Sequence, residues 1–170
     1  MEIIKLSSCL EWEKTLSPNI VPGLRESFDC GKPSLNEFIR QYARQADEKN
    51  TTRTFVFLDQ ENKKIAGYVS LSNTSIEKAL TSDVLKSRVN PIPALLIGRL
   101  AVDSNYRRQG LGEKLLVFAF DKALAINEMS AIQAIVVDTL DEEAEAFYER
   151  YGFQKICGTN KMIISLKNLQ

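Results

Sequence analysis

The sequence predicts a mixed α/β domain of the α+β kind, a mostly antiparallel sheet flanked by helices. Three observations predict it. "TRTFVFLD" (52–59) and "KIAGYVSLS" (64–72) are β-branched and aromatic runs joined by a short polar stretch, the pattern of an antiparallel hairpin. "ALLIGRLAV" (94–102) and "AIQAIVVDT" (131–139) are apolar enough to be strands covered on both faces. Between and after them come segments with helical apolar spacing, so the second half holds a strand–loop–helix–strand unit.

The elements follow in order. "EIIKL" (2–6) predicts a short edge strand. "FDCGKPSLNEFIRQYARQADEKN" (28–50) opens on a Cys-Gly-Lys-Pro turn, and Ser34 and Glu37 stand at capping-box spacing. Leu35, Phe38, Ile39 and Tyr42 then mark one apolar helical face. After the hairpin, residues 73–93 are mixed and end in "NPIP", whose prolines exclude a helix interior and set up an extended entry. A helix is expected from near Gly110, with Leu111, Leu115, Phe118 or Ala119, and the Lys122 stem on its buried side. "TLDEEAEAFYERYG" (139–152) carries a second capping-box spacing at Thr139 and Glu142, acids in its first turn and Gly152 as terminator. Leu140, Ala144, Phe147, Tyr148 and Tyr151 fall on adjoining positions of that helix. "KMIISLK" (161–167) is the closing strand. No repeat or linker divides the chain, so residues 1–170 read as one domain.

Composition excludes several chemistries. Lys+Arg and Asp+Glu both number 22, and a zero net charge argues against nonspecific coating of nucleic acid while leaving room for a local basic patch. There is no histidine, which removes His-based zinc sites, Ser-His-Asp and Cys-His catalysis, and any imidazole base. Cys9, Cys30 and Cys157 are scattered without a CxxC pair and read as reduced, mostly packed thiols; no metal site is expected. The first residues carry charges throughout and have no signal-peptide core, and the apolar stretch 115–126 is cut by Asp121 and Lys122. A soluble, cytoplasmic protein without a membrane anchor is the expectation.

Two stretches could carry chemistry. In "RLAVDSNYRRQGLGEKLL" (99–116) a strand feeds a helix through Arg107, Arg108, Gln109, Gly110, Leu111 and Gly112. The first free N–H groups of such a helix, its dipole and two arginines suit a phosphate or pyrophosphate. The spacing is neither a P-loop nor the three-glycine dinucleotide fingerprint. An ordinary tight turn with two solvated arginines fits the bare spacing equally well. In "AFYERYGF" (146–153) the aromatics read first as core, yet a tyrosine hydroxyl can also act as a general acid.

Taken together, these two stretches resemble the GNAT superfamily of acyl-CoA-dependent N-acetyltransferases, whose R/Q-x-x-G-x-G/A motif matches Arg107 to Gly112. The resemblance implies the GNAT acyl-CoA N-acyltransferase fold, acetyl-CoA as cosubstrate and no metal. It implies that pyrophosphate rests on the N–H groups of Arg107, Arg108, Gln109, Gly110, Leu111 and Gly112. It implies too that the pantetheine arm pairs with the strand at Leu100, Ala101 and Val102. Tyr148 matches the family tyrosine near the thioester sulfur, and Ala144 the motif alanine. Where many members carry an asparagine touching pantetheine, this chain has Asp141.

"FDCGKPSLNEFIRQYA", "TRTFVFLD", "IAGYVSLS" and "PIPALLIGRLAVD" extend the likeness, over roughly residues 25–168, to the GNAT toxins of bacterial toxin–antitoxin pairs. That resemblance implies acetylation of the α-amino group of aminoacyl-tRNA, and a ribbon-helix-helix antitoxin as partner; a homodimer remains open. An α-amino group titrates near 7.7–8.0, against about 10.4 for a lysine side chain, and so suits a chain with no histidine base. Lys86, Arg88, Arg99, Arg107, Arg108 and Lys114 give a local basic excess that could face tRNA, with Arg40, Arg44 and Arg53, or serve the CoA phosphates. A small-molecule or protein amine is the alternative acceptor, and a CoA-binding module without turnover the alternative of another class.

Overall fold

The computed structural model describes residues 1–16, 23–81 and 84–169, so Ser82 and Asp83 of the mixed stretch 73–93 lie outside the described residues. The chain forms two units, Met1–Leu71 with Arg99–Phe118 and Ser72–Gly98 with Ala119–Gln170, and the boundaries fall inside two strands and a helix.

In the first unit the hairpin forms as expected. β1 (Glu2–Lys5) is the edge strand, antiparallel to β2 (Arg53–Asp59), with Glu2 opposite Leu58. β3 (Lys64–Ile76) returns antiparallel to β2, Arg53 opposite Leu71, with a bulge between Phe57 and Leu58. Side chains alternate along these strands. Val56, Leu58 and Tyr68 therefore share one face and pack with Leu6, Cys9, Leu24, Phe28, Phe38 and Ile39 into a core.

α1 (Leu6–Thr15) escapes sequence reading because only Leu6 and Cys9 are buried along it. α2 (Pro33–Glu37) begins one residue before Ser34. Proline with its fixed φ suits the first helical position, so Pro33 places Ser34 inside the helix and the expected capping box does not form. A π-helical turn, Phe38–Tyr42, then leads into α3 (Ala43–Glu48). Its wider turn rotates the apolar face, so that Ala43 is buried and Tyr42, expected inside, is 51% exposed.

β4 (Ile92–Val102) begins in the second unit, where its residues Ala94 to Ile97 run parallel to β5 (Ala134–Asp138), with Ala94 opposite Ala134 and Ile97 opposite Val137. β7 (Lys161–Ser165) is antiparallel to β5, and the two-residue β6 (Gln154–Lys155) flanks it. The strand order is β1-β2-β3-β4 in the first unit and β3-β4-β5-β7-β6 in the second, a mixed arrangement of seven strands. α4 (Leu111–Met129) begins where expected and buries Leu111, Leu115, Leu116, Ala119 and Ala123, while Lys122 is exposed.

α5 (Glu142–Glu149) is capped by Asp141, whose Oδ1 accepts the Ala144 N–H at 2.9 Å. The Thr139 hydroxyl instead donates to the Asn160 carbonyl at 2.9 Å, so the Thr139–Glu142 box is not made. Leu140, left ahead of the helix, is 58% exposed rather than packed. Among the described residues no helix is long and apolar enough to cross a membrane. No group of three or more His, Cys, Asp or Glu among them could hold a metal ion.

Candidate functional site

The end of β4 supplies a backbone edge. The Asp103 N–H donates to the Ala66 carbonyl of β3 at 2.9 Å. Peptide groups alternate along an extended strand, so those of Leu100 and Val102 face the opposite edge. The register with β5 covers Ala94 to Ile97 only, so β5 does not take up the peptides of Leu100 and Val102. Gly67 makes this arrangement possible, because a β-carbon there would lie 2.9 Å from the Ala101 carbonyl oxygen.

The loop that follows is pinned by side chains. Asp103 is 2% exposed; its Oδ1 accepts the backbone and side-chain N–H groups of Asn105, and its Oδ2 accepts the Asp29 N–H at 2.9 Å. A short 3-10 turn, Ser104–Tyr106, carries the Tyr106 hydroxyl to Asp59 Oδ2, to which it donates at 2.7 Å. Hydrogen bonds from Asn62 and Tyr106 hold the Asp59 carboxyl below the usual range. Burial, together with the neighbouring Asp59, pushes the Tyr106 phenol up to about 12. The Arg107 guanidinium turns back and donates to the Cys30 carbonyl.

Beyond Arg107 the backbone reverses through two left-handed residues, Arg108 at φ 60° and Gly110 at φ 73°. Arg107, Arg108, Gln109 and Gly110 are exposed, and a β-carbon on Gly110 would meet nothing within 4 Å. The first intrahelical bond of α4 runs from the Lys114 N–H to the Gly110 carbonyl at 3.1 Å. The N–H groups of Leu111, Gly112 and Glu113 precede any such acceptor and carry the positive end of a 19-residue helix. Free amides, an open glycine and the Arg108 cation form a cradle suited to pyrophosphate. The first unit thus contains Leu100, Ala101, Val102, Arg107, Arg108, Gln109, Gly110, Leu111 and Gly112 on one continuous strand, loop and helix start.

The second unit holds Asp141 and Tyr148 at the two ends of α5. Tyr148 is 6% exposed and sits edge-on to Phe147 at 5.1 Å and to Phe153 at 5.2 Å between ring centroids. Burial raises its hydroxyl far above an ordinary phenol. Such a group is protonated throughout the neutral range. Phe147 and Tyr151, expected in the core beside it, are only partly buried. Asp141 Oδ1 is engaged in the helix cap.

Three arginines expected on a nucleic-acid surface are otherwise engaged. Arg44 pairs with Glu48 at 2.8 Å, Arg53 bonds Asp47 and Asn50, and Arg40 donates to the Phe28 carbonyl at 2.6 Å. Arg99 lies over the Phe38 ring at 3.9 Å. Lys86, Arg88, Arg108 and Lys114 are exposed. Sequence reading missed Asp29, Gly31 and Asp59 as supports of the loop; only the Cys-Gly-Lys-Pro turn signalled the first two.

Residues 50–155 match the family described as Acetyltransferase (GNAT) domain. The chain is similar to a tRNA-acetylating toxin of Mycobacterium tuberculosis (strain ATCC 25618 / H37Rv), 31% identical over 129 residues, 75% of this chain and 76% of the relative. It is also similar to AtaT complexed with acetyl-methionyl-tRNAfMet, at TM-score 0.78 and 25% identity over 85% of this chain and 89% of the other. AtaTR bound with acetyl-CoA shares the fold, with TM-score 0.79 and 22% identity over 99% of this chain and 94% of that one.

Proposed function

The chain belongs to the GNAT acetyltransferase domain family, and from that premise we propose that it transfers acetyl from acetyl-CoA to the α-amino group of aminoacyl-tRNA. One observation carries the reading. The edge of β4 left open at Leu100 and Val102 runs directly into the exposed Arg108–Gly110 turn and the start of α4. That run offers a strand edge for an extended amide-bearing arm, followed by amide donors for a diphosphate. The acceptor rests on the 31% identical tRNA-acetylating relative and the likeness to AtaT complexed with acetyl-methionyl-tRNAfMet.

Each group of this chain then has a task. Acetyl-CoA supplies an activated acetyl thioester when bound. The N–H groups of Leu111, Gly112 and Glu113, with the Arg108 guanidinium, hold the diphosphate. The peptides of Leu100 and Val102 align the arm and polarise the carbonyl. The acceptor nitrogen attacks that carbonyl carbon, the C–S bond breaks, Tyr148 Oη gives its proton to the departing thiolate, and the proton lost by the new amide nitrogen restores the phenol. The acceptor needs little help in losing its own proton, because an α-amine titrates near 7.7–8.0. Asp141 serves by fixing the start of α5, and hence Tyr148, rather than by a free side chain.

We read both units as one catalytic domain, since the family match at 50–155 takes in parts of each. A cytoplasmic location and a ribbon-helix-helix antitoxin complete the proposal. The test is incubation with acetyl-CoA and a panel of charged tRNAs, then nuclease digestion and mass analysis. N-acetyl-aminoacyl-adenosine is the expected product. Acetylation confined to small amines or protein lysines would overturn the tRNA acceptor and leave the acetyltransferase.

A further inference from the structure

We propose that Asp59 and the Asp29–Gly31 turn are positioning groups for the cofactor loop, acting on acetyl-CoA through Tyr106 and Arg107 without touching it. The inference rests on the reading of Arg107–Gly112 as the diphosphate cradle.

Two arms, from separate parts of the first unit, converge on the residues just before the cradle. One is the Tyr106 hydroxyl on Asp59 Oδ2 at 2.7 Å, between residues 8% and 5% exposed. The other comes from the turn: the Asp29 N–H donates to Asp103 Oδ2, the Asp29 carbonyl accepts the Ser104 N–H at 2.8 Å, and the Cys30 carbonyl accepts from Arg107. The turn is itself fixed, since Asp29 Oδ1 accepts the Gly31 N–H at 2.8 Å and the Asn36 side-chain amide at 2.7 Å.

What these arms hold is a backbone that would not hold itself. Arg108, a non-glycine residue, sits in the left-handed region at φ 60°, a strained conformation that persists where the surroundings impose it. Gly110, at φ 73°, has nothing within 4 Å of where a side chain would start. Among the described residues, Tyr106 and Arg107 carry the last side-chain hydrogen bonds before the amides turn outward. A carboxylate kept in a buried place costs more than an apolar residue of the same volume, so packing alone does not account for Asp59. Arg107 and Arg108 consequently divide the work: the first clamps the loop to Cys30, and the second presents its charge.

The experiment measures acetyl-CoA affinity by calorimetry and KM and kcat at varied acetyl-CoA, for the full chain and three variants. Tyr106→Phe keeps the ring and loses the bond; Gly31→Ala strains a residue at φ 76° and sets a β-carbon 3.3 Å from Arg107 Nη2. Both should raise KM and Kd for acetyl-CoA by roughly tenfold with kcat at saturation within about twofold, since a displaced loop loses binding that ground and transition states share. Asp59→Asn keeps an oxygen acceptor for the phenol but turns its amide nitrogen toward the Asn62 N–H, and its KM should fall between wild type and Tyr106→Phe; a KM equal to wild type would count against Asp59 as a positioning group. A lowered melting temperature with unchanged KM in Tyr106→Phe and Gly31→Ala would overturn the proposal and leave packing as the role. Should Tyr106→Phe not fold, an unchanged KM in Gly31→Ala alone overturns it. Failure of the wild-type chain to bind acetyl-CoA would remove the cradle itself, an outcome the variants do not mimic.

Discussion

A β-carbon on Gly67 of β3 would stand 2.9 Å from the carbonyl oxygen of Ala101 in β4 and 3.0 Å from a Leu115 methyl of α4. The missing side chain lets strand and helix approach β3 this closely, and it fixes the peptides beside Ala101. Gly67→Ala should therefore cost about 1–3 kcal/mol by overpacking. It should also weaken acetyl-CoA binding, because the Leu100 and Val102 edge shifts with the Ala101 carbonyl. Urea denaturation and calorimetry check the two parts separately.

Thiol chemistry should single out one cysteine. Cys9 and Cys30 are buried and Cys157 is exposed. Burial pushes the Cys9 thiol up to about 12 and also raises Cys30, and the thiolate is the reactive form. An aromatic disulfide reagent should modify one thiol per chain in the native protein and three in denaturant. Rapid modification of more than one native thiol would contradict the packing of the first unit.

The parts of the fold that could be read from sequence are those specified locally. β2, β3, β4 and β5 announce themselves by β-branched and apolar runs, and the Arg108–Gly110 turn by glycine where φ is positive. Both capping boxes fail for a physical reason, since spacing does not say which neighbour competes. Pro33 takes the first helical position in one case, and Asp141 takes the cap in the other. Tyr42 turns outward because a π-helical turn breaks the period on which its assignment depended. Tyr106 and Asp59 lie 47 residues apart, and no local pattern pairs them.

Acid should weaken the fold partly through Asp59. Its folded carboxyl is held below its unfolded value of about 3.9 by hydrogen bonds from Asn62 and Tyr106. A depressed carboxylate contributes stability above the unfolded pKa and loses it as pH falls through the folded one. The urea midpoint of wild type should therefore drop more steeply than that of Asp59→Asn below about pH 4. Parallel curves for the two proteins down to acid unfolding would rule this contribution out.

Gly112→Glu should leave the helix in place and impair the cradle. Position 112 lies in the first turn of α4, where an acid suits the helix dipole and the backbone is helical. The added carboxylate would compete with the diphosphate for the same amides and repel it. Affinity for acetyl-CoA should fall at least tenfold, roughly the effect of 1.4 kcal/mol, with an unchanged melting temperature. Wild-type affinity by calorimetry would contradict the placement of diphosphate at this helix start.

Tyr148→Phe separates packing from chemistry. The ring makes its contacts with Phe147 at 5.1 Å and Phe153 at 5.2 Å through carbon, and phenylalanine keeps both. Among the described residues no hydrogen bond to the hydroxyl is seen, so removing it should strand no partner in the core and should not lower stability. The thiolate leaving the acetyl group then lacks its proton donor. Turnover should fall by roughly a hundredfold, the lower end of what a positioned acid contributes, with KM for acetyl-CoA little changed. The loss should not be recovered at lower pH, because a phenol raised by burial is already fully protonated there and the wild-type rate owes nothing to its titration. A variant as active as wild type in a thiol-release assay would take Tyr148 out of the reaction and leave it a core aromatic of the second unit.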